Sequence, residues 1–242
     1  MIAMSGINQV PIREKAKGIC KMDIKELENK IINADCMDIL KELPDKCVDL
    51  VLTDPPYGID EKISTKETKQ NAGNKFAMIY NEKKWDIKPS KEVFDEILRI
   101  SKNQVICGGN YFSDFLPPSR GWIIWDKVVE NMTSINNELI WTSFDFAVKT
   151  FRRCHGLDKG FMNTGIDQPF HPTQKPRALF EYILEKCSKE NDLILDCFSG
   201  SGTTALACHN LKRRFICIEK DKDYYEASVK RLADAQKQLT LF

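Results

Sequence analysis

A carboxylate, two prolines and an aromatic ring follow the apolar run Val48–Thr53, in the order Asp54, Pro55, Pro56 and Tyr57. Each proline fixes its own φ and disfavours helical geometry in the residue before it, so this stretch is predicted to be extended and rigid. The Asp54 carboxylate and the Pro55 carbonyl would then form a fixed pair of hydrogen-bond acceptors beside a flat ring. Such a site suits a planar ring that carries an exocyclic amine. A proline-rich turn without chemistry is the simpler alternative for this motif alone.

A second group of residues has the pattern of a nucleotide-cofactor site. The apolar run Leu193–Leu195 ends at Asp196, and a turn containing Gly200 and Gly202 follows it. Glycines allow tight turning and close backbone approach, and the amino end of the next helix offers N–H donors. Glu219 follows Gly200 by about twenty residues, the separation at which a carboxylate reaches ribose hydroxyls. On these features alone, a nicotinamide-dependent dehydrogenase is a fair interpretation.

The elements that position these groups alternate between strands and helices, which is typical of a parallel sheet covered by helices. Strands are predicted at Lys30–Ala34, Val48–Thr53, Gln104–Cys107, Trp122–Trp125, Asp145–Lys149, Leu193–Leu195 and Arg214–Ile218. Helices are predicted over Met37–Leu43, Ser90–Ile100 and Asp223–Leu239, after Pro176, and after the glycine turn as far as Asn210. Open sheets of this kind bind ligands at the carboxyl ends of their strands, and Asp54 is predicted to lie at such an end.

The 242 residues fit a single domain, 1–242, with a long loop at 58–89 where the periodicity fails. A net charge of +1 excludes a histone-like polycation but not local binding of nucleic acid. Nine cysteines without a C-x-x-C pair and three histidines give no zinc-ligand spacing, so no metal site and a reduced, cytoplasmic setting are expected. No apolar run approaches the ~18 residues of a membrane span, so no membrane contact is expected.

Three motifs in chain order resemble those of the β-class amino-group DNA methyltransferases. They are Asp54-Pro55-Pro56-Tyr57, His171-Pro172-Thr173-Gln174-Lys175-Pro176 and Asp196-Cys197-Phe198-Ser199-Gly200-Ser201-Gly202-Thr203-Thr204. The resemblance covers about residues 30 to 235. It implies the α/β fold of class I methyltransferases, a Rossmann-like, seven-stranded, mostly parallel sheet. It also implies S-adenosyl-L-methionine as cofactor and double-stranded DNA as partner.

The motif order implies that this fold is circularly permuted. The family's first two strands would correspond to Leu193–Leu195 and Arg214–Ile218, and its third and fourth to Lys30–Ala34 and Val48–Thr53. The chain would thus be cut between strands two and three, with its ends close in space. The last two strands would be an antiparallel hairpin made by the predicted strands around Trp122 and Asp145.

The resemblance also implies roles for individual residues. Asp54 and the Pro55 carbonyl would accept hydrogen bonds from the target amine, and Tyr57 would stack on a base flipped out of the duplex. Thr173, Gln174 and Lys175 would meet the carboxylate end of the cofactor. The remaining cofactor-binding residues are Asp35 and Cys36 at the adenine, Glu219 at the ribose, and Asp196, Phe198, Ser199, Gly200, Gly202 and Thr203 around the methionine part.

The expected reaction is methylation of the N6 amine of adenine in DNA, since Asp rather than Ser at position 54 favours adenine in this family. N4-cytosine methylation is the alternative, followed by methylation of RNA or of a protein amide. Residues 151–170 are the expected target-recognition segment, where Arg152 and Arg153 would touch DNA. A homodimer and a cognate restriction endonuclease are further candidate partners that the resemblance suggests.

Overall fold

Strands and helices alternate along residues 23–59, 86–128, 137–153 and 174–239, which the computed structural model describes. The strands are β1 Lys30–Asn33, β2 Val48–Thr53, β3 Ser101–Cys107, β4 Trp122–Asp126, β5 Asn137–Thr142, β6 Lys149–Arg152, β7 Leu193–Asp196 and β8 Arg214–Glu219. The helices are α1 Ile24–Leu27, α2 Cys36–Leu40, α3 Lys91–Ile100, α4 Arg177–Cys187, α5 Thr203–Asn210 and α6 Lys222–Leu239, with a 3₁₀ turn at Gly109–Phe112.

The eight strands form one sheet in the order β1-β8-β7-β2-β3-β5-β4-β6. The pairs from β1 to β3 are parallel, and β5 runs antiparallel to both of its neighbours. Strand β1 pairs with β8, so strands near the two ends of the described chain are neighbours. This order confirms the predicted class I methyltransferase fold and its permutation.

Buried side chains cover both faces of the sheet, which explains the apolar runs of the central strands. Leu50 and Leu52 of β2 pack in the cluster that contains residues of α4, α5 and α6. Val51, between them, packs in the opposite cluster with residues of α1, α2 and α3. Period-two alternation therefore places successive apolar side chains of β2 against different helical layers.

The hairpin prediction was wrong in one strand. The partner of β4 is β5, Asn137–Thr142, whereas most of the predicted strand Asp145–Lys149 is irregular. Strand β5 was missed because only its second half reads as apolar, although Glu138 is also buried. The eighth strand, β6, pairs parallel with β4 at the edge of the sheet and is half exposed. The predicted seven-stranded sheet is thus extended by one edge strand.

Two predicted segments fall largely outside the described residues. Of the loop 58–89, the structure describes 58–59 and 86–89, and of the recognition segment 151–170 it describes 151–153. The Asp86 carboxylate accepts from the backbone N–H groups of Gly58 and Ile59, at 2.9 and 2.6 Å, and so joins the two ends of that loop. None of the helices in the described ranges is long and apolar enough to cross a membrane.

Candidate active site

A cavity of about 980 Å³ opens at the carboxyl ends of the central parallel strands. Four acidic residues that follow or end neighbouring strands line it, namely Asp35 after β1, Asp54 after β2, Asp196 of β7 and Glu219 of β8. The cavity is at the upper end of the size range of small-molecule sites, ~300–1,000 Å³. Residues of the two motif groups therefore line the same cavity.

The ring of Tyr57 is held in place by its neighbours. It stacks on Tyr111, with ring centroids 4.8 Å apart and an interplanar angle of 19°. Gly108 lies against the ring, since a Cβ at that position would come within 2.3 Å of it. Gly108 also has a φ of +62°, a conformation that favours glycine. The chain thus turns at the end of β3 so that the Tyr57 ring can fit against its backbone.

Lys175 lies between two carboxylates at the bottom of this site. Its Nζ is 2.7 Å from Asp54 Oδ2 and 3.0 Å from Glu138 Oε1, and the Tyr57 hydroxyl is 3.2 Å away. Burial alone would lower the pKa of Lys175, but the charges of Asp54 and Glu138 outweigh it and raise that pKa. Lys175 is therefore a buried ammonium ion that two carboxylates stabilise.

The surroundings shift the pKa values of the Asp54 and Glu138 carboxyl groups in opposite directions. Burial raises the pKa of Asp54 above its ordinary value, against the opposing effect of Lys175. Burial would also raise the pKa of Glu138, but Lys175 and Lys127 together lower it. Lys127 Nζ lies 3.2 Å from Glu138 Oε2. Glu138 is thus the better stabilised anion of the pair.

Sequence reasoning missed Glu138 because β5 itself was missed. The available signal was an acidic residue next to the apolar run Leu139–Trp141. Asp54, Cys107 and Glu138 also bring three ligand atoms of the kinds that bind metals within 4.8 Å of one another. The Lys175 ammonium is within hydrogen-bond distance of both carboxylates of that cluster and supplies its positive charge.

Asp196 acts as an internal brace of the glycine turn. Its carboxylate accepts from Thr53 Oγ1 at 2.7 Å, from the backbone N–H of Phe198 at 3.1 Å and from Thr204 Oγ1. Burial raises the pKa of Asp196 to about 6. Because these partners belong to β2, the turn and α5, Asp196 connects the two motif groups.

The glycine turn has the left-handed conformations that its sequence predicts. Gly200 has a φ of +49° and Gly202 a φ of +73°. Glu219 fixes the turn from β8, since its Oε2 accepts from the Gly200 N–H at 2.7 Å and its Oε1 accepts from the Asp221 N–H at 2.7 Å. Burial raises the pKa of Glu219. Phe198, Ser199 and Thr203, also predicted for the cofactor, line the cavity beside Gly200.

Comparison with known proteins identifies the family. A sequence model described as DNA methylase matches residues 71–230, about two thirds of the chain. The chain belongs to this DNA methylase family. Among curated relatives, the type II methyltransferase M.HinfI of Haemophilus influenzae is 27% identical over 264 residues, covering 88% of this chain and 71% of its own. M.HpaI of Haemophilus parainfluenzae is 25% identical, covering 85% and 74%.

Solved structures agree with the fold of the methylase. A crystal structure of an M1.HpyAVI–SAM complex is 25% identical, with a TM-score of 0.52, and the match covers 84% of this chain and 98% of that chain. The cytosine-N4-specific PvuII DNA methyltransferase has a TM-score of 0.58 at 15% identity, covering 86% and 91%. At that identity the second match shows the shared fold alone.

The adenine end of the predicted cofactor site of the methylase contains Asp35 and Cys36, which line the cavity. Asp35 caps α2 by accepting from the Met37 N–H at 3.0 Å, and its other oxygen is 2.8 Å from Lys220 Nζ. The hydrogen bond from Lys220 lowers the pKa of Asp35, although burial opposes it. Burial raises the pKa of Cys36 to about 12, so this thiol stays protonated.

Next to Lys175, the lining of the cavity contains a polar atom without a partner among the described residues. Gln174 Oε1 is buried beside the cavity and has no hydrogen-bond partner among the described residues. A buried acceptor of this kind favours a ligand that donates hydrogen bonds. The site therefore fits a nucleoside cofactor with a polar tail, since the cavity offers the Gln174 amide oxygen as well as the carboxylates of Asp35 and Glu219. Thr173, predicted beside it, lies outside the described residues.

The residues predicted to contact DNA lie at the edge of the sheet. Arg152 ends β6, pairs in register with Asp126 and forms an ion pair with it at 2.9 Å. Its side chain is 71% exposed. The Arg153 backbone carbonyl accepts from the Trp125 indole at 3.0 Å. Trp125 and Lys127 line the cavity, but neither arginine is among its lining residues.

Proposed function

We propose that this DNA methylase transfers the methyl group of S-adenosylmethionine to the N6 amine of an adenine flipped out of duplex DNA. One observation carries the proposal. The Asp54 carboxylate and the Tyr57 ring, at the end of β2, line the same cavity as the glycine turn that would hold the cofactor. A flipped base on Tyr57 and a cofactor on the turn would therefore meet in one chamber.

The protein's contribution to such a transfer is positioning. An aromatic amine is a poor nucleophile because its lone pair is delocalised into the ring. Asp54 and the Pro55 carbonyl would accept hydrogen bonds from the two N–H groups of the amine and so orient its lone pair for attack. S-adenosylmethionine would supply the methyl group from its sulfonium and leave as S-adenosylhomocysteine, and the methylated amine would release one proton to solvent. Stacking on Tyr57 offsets part of the few kcal/mol needed to extrude the base.

The cofactor roles follow from the contacts described. The backbone of the glycine turn, fixed by Glu219 and braced by Asp196, would surround the methionine part. Glu219 keeps lone pairs for ribose hydroxyls, because a carboxylate can accept more than the two hydrogen bonds it already receives. Asp35 and Cys36 would bind the adenine, and Gln174 would bind the polar tail.

Double-stranded DNA is the proposed substrate, with Arg152 and Arg153 as phosphate contacts that position the duplex. Phosphate contacts set orientation without reading sequence, so further contacts must specify the target. A homodimer, a cognate restriction endonuclease and a cytoplasmic setting are part of the same proposal. The support for the endonuclease is that both curated relatives are named type II methyltransferases.

Product analysis tests the proposed base. The methylase is incubated with duplex DNA and methyl-labelled S-adenosylmethionine, the DNA is digested to nucleosides, and the labelled nucleoside is identified by mass spectrometry. We expect N6-methyldeoxyadenosine. N4-methyldeoxycytidine would show that the target base is cytosine and not adenine. Label in RNA or in protein, with none in DNA, would overturn the proposed substrate.

A further inference from the structure

Both oxygens of the Asp54 carboxylate already have partners. Oδ1 accepts from the Tyr57 hydroxyl at 2.7 Å, and Oδ2 lies 2.7 Å from the Lys175 ammonium. Each oxygen keeps a free lone pair, but a target amine that donates to Asp54 must bind beside these two donors or replace them. The ammonium is the stronger competitor, because it is charged and the incoming amine is neutral.

Glu138 offers the same two donors a second acceptor. Its Oε1 is 2.8 Å from the Tyr57 hydroxyl and 3.0 Å from Lys175 Nζ. A tyrosine hydroxyl has one proton, so it can donate to Asp54 or to Glu138 but not to both at once. Both donors can thus move their hydrogen bonds from one carboxylate to the other with little displacement of heavy atoms.

The charges around Glu138 support such an exchange. Asp54 and Glu138 carry two negative charges, and Lys175 and Lys127 carry two positive charges, so the group is balanced. Glu138 is buried on β5, between two neighbouring strands, and its other oxygen pairs with Lys127. It is therefore a fixed acceptor that lies within reach of every donor now held by Asp54.

We propose that Glu138 is a positioning residue of methyl transfer, which takes over the Lys175 ammonium and the Tyr57 hydroxyl when the target amine binds Asp54. This inference rests on the role of Asp54 under the proposed function. Glu138 keeps the Lys175 ammonium paired while Asp54 accepts a hydrogen bond from the target amine. Without that second acceptor, Lys175 stays on Asp54 and competes with the substrate.

The variant Glu138→Gln tests this exchange, with Asp49→Asn as its matched control. Asp49 is also a strand carboxylate paired with a lysine, 2.7 Å from Lys102 Nζ, but it lies near the opposite end of β2. For Glu138→Gln we expect kcat/KM for DNA to fall about tenfold, the effect of one charge-assisted hydrogen bond, with cofactor affinity unchanged. Asp49→Asn should stay within about twofold of wild type.

Removal of the competing ammonium separates positioning from a merely structural role. The double variant Glu138→Gln with Lys175→Met leaves Asp54 free of any ammonium, so its single-turnover rate at saturating cofactor should exceed that of Glu138→Gln alone. Glu138→Asp, which keeps the charge, should retain more activity than Glu138→Gln. Circular dichroism verifies that each variant is folded.

Two results would overturn the inference. One is a Glu138→Gln variant as active as Asp49→Asn, and the other is a double variant no faster than Glu138→Gln. If Glu138→Gln does not fold, Glu138→Asp remains as the test. Its shorter side chain holds the carboxylate further from Tyr57 and Lys175, so its kcat/KM should lie below that of wild type, and an equal kcat/KM with an equal pH–rate profile would count against the inference. Failure of the proposed function is distinct, because then the wild-type enzyme itself would produce no N6-methyladenine.

Discussion

The Lys175 ammonium lies 2.7 Å from the Asp54 carboxylate, although 121 residues separate the two in the chain. Asp54 follows the apolar strand β2, and Lys175 precedes α4. Their contact joins the motif assigned to the target amine to the motif assigned to the cofactor tail. The resting site therefore contains an ion pair at the position where a neutral amine is expected to bind.

Replacement of Asp54 by Ala should abolish methyl transfer and leave cofactor binding nearly intact. Asp54 is assigned to the amine, so its loss should lower the transfer rate by about 10²–10³-fold, as for other groups that bind reacting atoms. Lys175 keeps Glu138 as its partner, so the fold should survive. Label transfer to DNA and calorimetry with S-adenosylmethionine measure the two effects. Turnover near that of wild type would contradict the assignment.

A side chain at Gly108 should displace the Tyr57 ring. The Cβ of Gly108→Ala would come within 2.3 Å of that ring, and the φ of +62° adds backbone strain. We expect a large loss of transfer with the protein still folded. Asn191→Ala is the control for strain, because Asn191 has a φ of +67° but does not line the cavity. Equal activity of the two variants would mean that the position of Tyr57 does not matter.

Cofactor binding should depend on the glycine turn. Gly200→Val places a β-branched residue at a φ of +49°, and Glu219→Ala removes the acceptor that fixes the Gly200 N–H. Both variants should weaken the binding of S-adenosylmethionine by about tenfold or more, which calorimetry can measure. Asn191→Val imposes similar backbone strain away from the cavity, so it should leave the binding of S-adenosylmethionine unchanged. Wild-type affinity in both variants would show that the turn is misassigned.

The buried carboxyl of Asp196 should make stability depend on pH. Burial raises its pKa from 3.8 to about 6, so the folded state binds more protons than the unfolded state between these values. The contribution of Asp196 to stability therefore falls as pH rises from about 4 to 6, by roughly 3 kcal/mol if the full pKa difference acts. Asp196→Asn removes the charge and should gain stability relative to wild type at pH 7 but not at pH 4. Urea unfolding at both pH values measures this, and a constant difference would contradict it.

The target sequence should be short or degenerate. Only residues 151–170, which begin within the edge strand β6, precede the motif that contains Lys175, and this leaves room for one or two base contacts. Each good bidentate contact contributes ~1–3 kcal/mol of discrimination. Sequencing the methylated positions in random DNA gives the target directly. A strict target of about six base pairs or more, read by a monomer, would show that the recognition surface lies elsewhere.

The parts of the fold that the sequence predicted are those where one local pattern decides the outcome. Val48–Thr53 and Leu193–Leu195 are apolar because both faces of their strands are covered, and they were predicted within one residue. Strand β5 was missed because Glu138 interrupts its pattern. That buried glutamate is stabilised by Lys127 and Lys175, which are brought to it by β4 and by the segment before α4.

The candidate site was likewise predicted only in part from the sequence. The motifs identified part of the lining of the cavity but not Glu138 or Lys127, and the pairings of the side chains depend on the folded chain. Lys175 was predicted to meet the cofactor tail, and the structure places its ammonium on Asp54 and Glu138. The contact with the cofactor stays a prediction. Asp196 was predicted to face the cofactor, and its oxygens accept from Thr53, Phe198 and Thr204. Residue types therefore indicate which side chains belong to the site, and the tertiary structure decides which of their atoms form hydrogen bonds and ion pairs.

The pairing of β2 with β7 has a consequence for synthesis of the chain. Thr53 and Asp196, which hydrogen-bond across that pair, are 143 residues apart. On the ribosome, β2 emerges long before β7, and the edge of β2 that β7 later occupies stays open meanwhile. An open apolar strand edge is prone to aggregation. Nascent chains stalled before residue 190 should therefore depend on chaperones, and cofactor should protect the chain from proteolysis only after β8 has emerged.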